Sequence, residues 1–173
     1  MVALGLLAIV MSAASMLFIR SLATDKQQQQ RQVASQLADQ GIQLVRAHDP
    51  KTILNGRTQA QIDAQWASPG PVNLSQTTKP TAVGSGTAII PTTPTAVTAG
   101  GTKFSVNTII GICYAGTTGV SDCKPTGTAG KLYRVAVSVT WNGSHGNGCV
   151  GGTCSVVADT LIDPSAEPTF NNS

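Results

Sequence analysis

The sequence predicts an α+β protein in which one long N-terminal helix, hydrophobic in its first half and amphipathic in its second, packs on a small antiparallel β-meander. Three observations carry this expectation. Residues 1–19 contain no charged residue, and from Ser21 to His48 there is no proline and a single glycine, Gly41, while apolar residues recur at helical spacing. The segment 131–141, KLYRVAVSVTW, alternates apolar and polar residues with the period of a strand. Four cysteines lie in a Gly-rich and Thr-rich second half, as in a thin exported domain closed by disulfides.

Composition narrows the function classes. Charged residues make up 11% of the 173-residue chain, few for a cytosolic surface, and aromatics only 4%, so the core must be built from small and β-branched side chains. The net charge of +3 comes from eleven scattered Lys and Arg residues with no dense basic patch, which gives no strong nucleic-acid signal.

The first element, residues 1–24, is expected to be a membrane or filament-core helix. About 20 apolar residues at a rise of 1.5 Å cross a hydrocarbon layer of ~30 Å, and this run approaches that length. A secretory signal peptide is the competing reading. It needs a basic leader and a shorter apolar core, and although Ser21-Leu22-Ala23 offers small residues, Arg20 sits directly before them. A buried core helix would need a larger surrounding domain. The positive-inside rule assigns the side carrying Arg20, Lys26 and Arg31 to the cytoplasm, whereas four cysteines suit an oxidising exterior. The expectation that reconciles the two is a basic stretch upstream of Met1 that once set the orientation.

Residues 25–48 continue the helix as an amphipathic segment. Val33, Leu37, Gly41 and Leu44, with Ala34, Ala38, Ile42 and Val45 beside them, form one face; Lys26, Gln28, Gln29, Gln30, Arg31, Gln36 and Gln43 lie on the other. Pro50 disfavours helical geometry at Asp49 and ends the helix near His48. The whole would be a rod of roughly 70 Å.

Residues 49–102 change character. Clusters of Pro and Gly among many Thr residues read as an extended surface loop, with a short helical turn near Gln59 to Trp66. Its Thr and Ser residues are glycan acceptors by type. Asn73-Leu74-Ser75 and Asn142-Gly143-Ser144 match the N-glycosylation pattern, a tripeptide frequent by chance.

Residues 103–163 supply the sheet, followed by a tail, 164–173. Tyr133, Val135, Val137, Val139 and Trp141 form one apolar face; Phe104, Val106, Ile110 and Ile112 share a parity in a second strand. A third strand presents either Val156, Ala158, Thr160 and Ile162 or the opposite parity with Val157 and Leu161. The sheet face needs a cover, and the helical stripe at Val33, Leu37, Leu44 and Val45 is the one segment long enough to give it. Cys113, Cys123, Cys149 and Cys154 allow three pairings, and spacing favours 113 with 123 and 149 with 154. The alternative, a zinc site, would want close CxxC pairs or nearby histidines, and only His145 lies near. His48 and His145 lack a local nucleophile signature, the eight acids are spread thinly, and no phosphate-binding loop or dinucleotide fingerprint occurs. No cofactor and no catalysis is expected.

The first 47 residues, MVALGLLAIVMSAASMLFIRSLATDKQQQQRQVASQLADQGIQLVRA, together with a β-rich half able to form disulfides, resemble the type IV filament family, which comprises type IV pilins and the pseudopilins of type II secretion systems. The stretch MVALGLLAIVMS looks like the part of the family helix that follows a phenylalanine-led mature terminus and its glutamate. Both would fall upstream of Met1, as would the prepilin peptidase site and the methylated terminus. The resemblance implies a structural subunit that waits in the cytoplasmic membrane and then joins other copies of itself or other pilins in a surface filament. Leu4, Leu6, Leu7, Ile9, Val10, Met11, Leu17 and Phe18 would pack among neighbouring helices. A membrane-tethered extracellular binding module, with the helix as stalk, is the reading from a different class.

Overall fold

A computed structural model describes residues 2–84, 86–116, 119–128, 130–143 and 149–165; within the elements, the side chains of 2–10, 12–14, 17–20, 22–23 and 119–122 are not described. The protein is α+β. Helix α1 spans Val2–Arg46 and α2 spans Gln59–Ala67. They are followed by strands β1 (Thr95–Ala99), β2 (Thr102–Gly116), β3 (Gly119–Lys124), β4 (Lys131–Asn142), β5 (Cys149–Val150) and β6 (Thr153–Ile162).

Helix α1 ends two residues before His48. Ala47 N–H still bonds the Gln43 carbonyl, His48 N–H turns back to Val45, and Asp49 then accepts from Lys51 N–H on its side chain and from Thr52 Oγ on its carbonyl. Helix α2 starts on a capping box: the Thr58 hydroxyl accepts from Gln61 N–H while the Gln61 side chain accepts from Thr58 N–H. It is a three-residue-spaced Thr-x-x-Gln signature, and it makes a nine-residue helix of what the sequence suggested as a turn.

All strand pairs are antiparallel. The sheet runs β1-β2-β4-β6-β5, with β3 folded back on β2. Between β2 and β4 the register runs from Phe104 opposite Trp141 to Tyr114 opposite Lys131; between β4 and β6 it runs from Tyr133 opposite Ile162 to Asn142 opposite Thr153. Two hairpins turn on consecutive glycines with positive φ, Gly100-Gly101 (55° and 72°) and Gly151-Gly152 (58° and 82°). Two-residue loops with both residues at φ > 0 match the twist of paired strands, and glycine adopts that conformation without strain.

The period of two gives the sheet two faces, and both are covered. On the inner face Phe104, Ile110, Tyr133, Val135, Val137, Val139 and Trp141 are buried against Ala34, Ala38, Ile42 and Val45 of α1, with Val33, Leu37, Val106, Ile112, Val156, Ala158 and Ile162 packed around them. The third strand therefore presents its Val156 parity, and Val157 is 42% exposed. On the outer face Ile109 and Ala136 are buried under Val72, flanked by Trp66 and Leu74.

This last layer corrects the expected boundary at residue 102 and the expected surface loop. Residues 49–102 contribute Ile53, Leu54 and Ile90 to the inner core, Ile62 and Val72 are buried, and the sheet already begins at Thr95. Composition misled because isolated apolar residues among Thr, Pro and Gly carry no period. They are nonetheless the residues that burial selects, each removing apolar area from water at ~25 cal/mol per Å².

Candidate functional site

The surface that bears on function is α1 and the ground beside it. Gln30 Nε2 donates to Thr102 Oγ at 2.9 Å, and from Val33 onward the helix lies in the core. Before that point most of its described side chains are exposed: Met11 is 64% exposed and Met16 68%, and Ser15, Ser21, Asp25 and Lys26 are exposed too. The expected assembly residues Leu4, Leu6, Leu7, Ile9, Val10, Leu17 and Phe18 have side chains outside the described set. Among the described residues no helix is long and apolar enough to cross a membrane.

Against the sheet, α1 packs tightly at Gly41. A Cβ there would stand 2.8 Å from Val137 Cγ1, so the missing side chain is what lets the helix seat directly on β4. Of the stripe expected to cover the sheet, Val45 is fully buried and Val33 and Leu37 are packed at the rim. Leu44 departs from that expectation at 47% exposed. The buried residues Ala34, Ala38, Ile42 and Val45 define the centre of the contact; Leu44 sits one helical step round from Val45, with Val33 and Leu37, on the flank.

That flank walls an open apolar groove of about 230 Å³ lined by Leu37, Gln40, Gly41, Leu44, Pro91, Thr95, Val97, Val106 and Thr108, with no charged side chain. A second basin of about 380 Å³ lies over the sheet at Pro94, Ala96, Lys103, Phe104, Ser105, Thr140, Trp141, Asn142 and Thr153.

The far wall of the groove is fixed from inside. Arg57 is 1% exposed, and its guanidinium donates from Nη1 to Gln65 Oε1 at 3.1 Å and from Nη2 to the carbonyls of Ile90 and Pro91, both at 3.4 Å. Gln65 in turn donates to the Thr108 carbonyl and to Asn107 Oδ1. Among the described residues no carboxylate meets Arg57, and its Nε has no hydrogen-bond partner. Burial lowers this guanidinium from its ordinary range to about 10, so it is a cation at neutral pH, held by neutral acceptors. Sequence reading missed it: an arginine before a capping box carries no mark of burial.

Other polar groups fasten the covering segment to the sheet. Arg134 on β4 donates from Nε and Nη2 to Asp159 Oδ2 and from Nη1 to the Asn73 carbonyl. Lys79 pairs with Asp63 at 2.7 Å; this hydrogen bond first, and one from Gln59 second, holds the exposed Asp63 carboxyl below its usual range. Asn73 accepts from Ser75 N–H, so this sequon stands in an exposed turn; Ser144 of the other lies outside the described residues.

The cysteines form two disulfides, Cys113–Cys123 with Cα atoms 5.3 Å apart and Cys149–Cys154 at 3.8 Å. Cys149 and Cys154 are directly opposed across β5 and β6, so the second bond locks the Gly151-Gly152 hairpin. Both pairs follow the short spacing, and with no free cysteine the thiolates of the zinc alternative are consumed. Among the described residues no group of three His, Cys, Asp or Glu could hold a metal. His48 is half-buried at the end of α1, and His145 lies outside the described residues.

Comparison with known proteins finds no matching family model, no matching curated protein and no matching solved structure.

Proposed function

We propose that this chain is a structural subunit of a type IV pilus or a related filament, held in the cytoplasmic membrane before assembly and exposed on the cell surface afterwards. The observation that carries the reading is a single helix used in two ways. From Gln30 it is fastened to a disulfide-closed sheet, while nearer its start, where the sequence carries no charge from 1 to 19, Met11 and Met16 are exposed. A soluble domain gains nothing from such an extension. In a filament, lipid contacts of the helix are exchanged for contacts with identical helices at little net cost.

The test is electron microscopy of sheared surface material together with the variant Leu7→Asp. Filaments containing the chain are expected, lost in the variant, with head stability unchanged. Recovery only from detergent-solubilised membranes, or normal filaments in Leu7→Asp, would sink the reading. The basin at Lys103, Ser105, Thr140 and Thr153 favours the second reading, a membrane-tethered binding module with α1 as its stalk. In that case no filament forms and the detergent-extracted protein is monomeric.

A further inference from the structure

The groove between α1 and β1 is built like a receptor site rather than a surface irregularity. One wall is Leu37 and Leu44 on the flank of α1, the floor is Gly41 and Val106, and the other wall is Pro91 and Val97. That second wall is pinned by a wholly buried cation, since Arg57 holds the Ile90 and Pro91 carbonyls while Ile90 itself is sealed in the core. A void of about 150 Å³ lined by aliphatic residues accommodates a benzene ring; at about 230 Å³ this groove takes a large aliphatic or aromatic side chain with room for a neighbour. Leaving it open keeps Leu44 half in water.

We infer that the groove receives apolar side chains from the first 19 residues of α1 of a second copy of this chain. This rests on the filament reading and specifies one contact within it. The occupant follows from three facts. The lining carries no charge, and neither do residues 1–19, so burial leaves no unpaired ion on either side. The chain's own apolar segment cannot fill the groove, because Val2–Arg46 is one helix and residue 19 stands roughly 25 Å along it from Leu37. Met11 and Met16, the large apolar side chains described in that segment, are exposed, so they and the groove are both open to a second molecule. The contact is heterologous, groove to rod, and heterologous contacts that do not close generate open helical arrays.

The experiment uses the full chain carrying Leu44→benzoylphenylalanine, mixed as light and heavy isotope forms, assembled by removal of detergent and irradiated. Mass spectrometry should find light-to-heavy crosslinks from position 44 to residues 1–24. Leu44→Asp combined with Val97→Asp should weaken self-association at least tenfold at unchanged melting temperature, and Leu44→Met should leave it intact. Crosslinks confined to one copy, to detergent or lipid, or to the head of the neighbour would overturn the groove assignment while self-association of the wild-type chain leaves the filament reading standing. A wild-type chain that does not self-associate at all would overturn both.

Discussion

At the scale of the residue, two positions show opposite physical bargains. Gly41 gives up helix propensity, about 1 kcal/mol relative to alanine, to let α1 touch β4. Gly41→Ala regains that amount but forces a Cβ to 2.8 Å from Val137 Cγ1, and a fully buried valine has no free rotamer to yield. Overpacking of this kind costs about 1–3 kcal/mol, so a net loss of about 1–2 kcal/mol is expected by urea denaturation. Adding Val137→Ala should make the alanine at 41 neutral or favourable; equal effects in both backgrounds would show that the contact is looser than described. Arg57 is the reverse case, a buried cation satisfied only by amide and carbonyl oxygens. Arg57→Met removes the desolvated charge, a change that is often neutral or stabilising, and also strands buried acceptors at about 1–3 kcal/mol each. The two nearly cancel. Global stability should change by less than about 1 kcal/mol, while amide exchange over residues 84–94 accelerates; unchanged exchange there would remove Arg57 as the fastener of that segment. The sign with pH follows from the lowered value: above about 10 the folded chain releases a proton that the unfolded chain, with its higher ordinary value, still keeps, so wild-type stability gains as pH rises past about 10. Arg57→Met should lack this gain, measured as the difference between the two proteins.

At the scale of the element, legibility depended on period. Strand β4 was readable because the nine residues 133–141 alternate without a break, and α1 because its stripe repeats over roughly three and a half turns across 33–45. Which flank of the stripe is buried was not readable. Leu44 is more apolar than Ala38, yet Ala38 lies on the axis of contact and Leu44 beside it. Small residues let a helix approach a sheet, so the burial centre, with Ile42 and Val45, includes Ala34 and Ala38 rather than the leucines. The short elements β1, β3 and β5 have too few residues to show a pattern, and their existence follows from glycine turns and disulfides. The segment 49–94 is the clearest case of information that only tertiary structure holds. Ile53, Ile62, Val72 and Ile90 are scattered through the segment with no helical or strand period, and nothing but the shape of two sheet faces brings them into use. The candidate site follows the same rule: the apolar rod was visible in 1–19, the groove was not, because its walls come from α1, residue 91, β1 and β2.

At the scale of the whole molecule, stability rests on a thin core backed by cross-links. Chain-entropy estimates for loops closed at separations of 10 and 5 residues give roughly 2–3 kcal/mol per disulfide. Small domains are stable by only about 5–15 kcal/mol in total. Reduction should therefore lower stability by about 4–5 kcal/mol, seen as a large fall in melting temperature in dithiothreitol with four thiols titrated at the end. A melting curve unmoved by full reduction would place the stability in the two hydrophobic layers alone.

The two disulfides also decide how the molecule responds to tension. A chain gripped at both ends and stretched lengthens by ~3.3–3.6 Å for each residue freed. The links at 113–123 and 149–154 withhold their enclosed spans, together roughly 50 Å of contour, while the entire stretch from Arg46 to Cys113 remains extensible. The covalent reinforcement thus protects the β2–β3 and β5–β6 hairpins at opposite sides of the sheet, and the elastic reserve lies in the segment that Arg57 fastens.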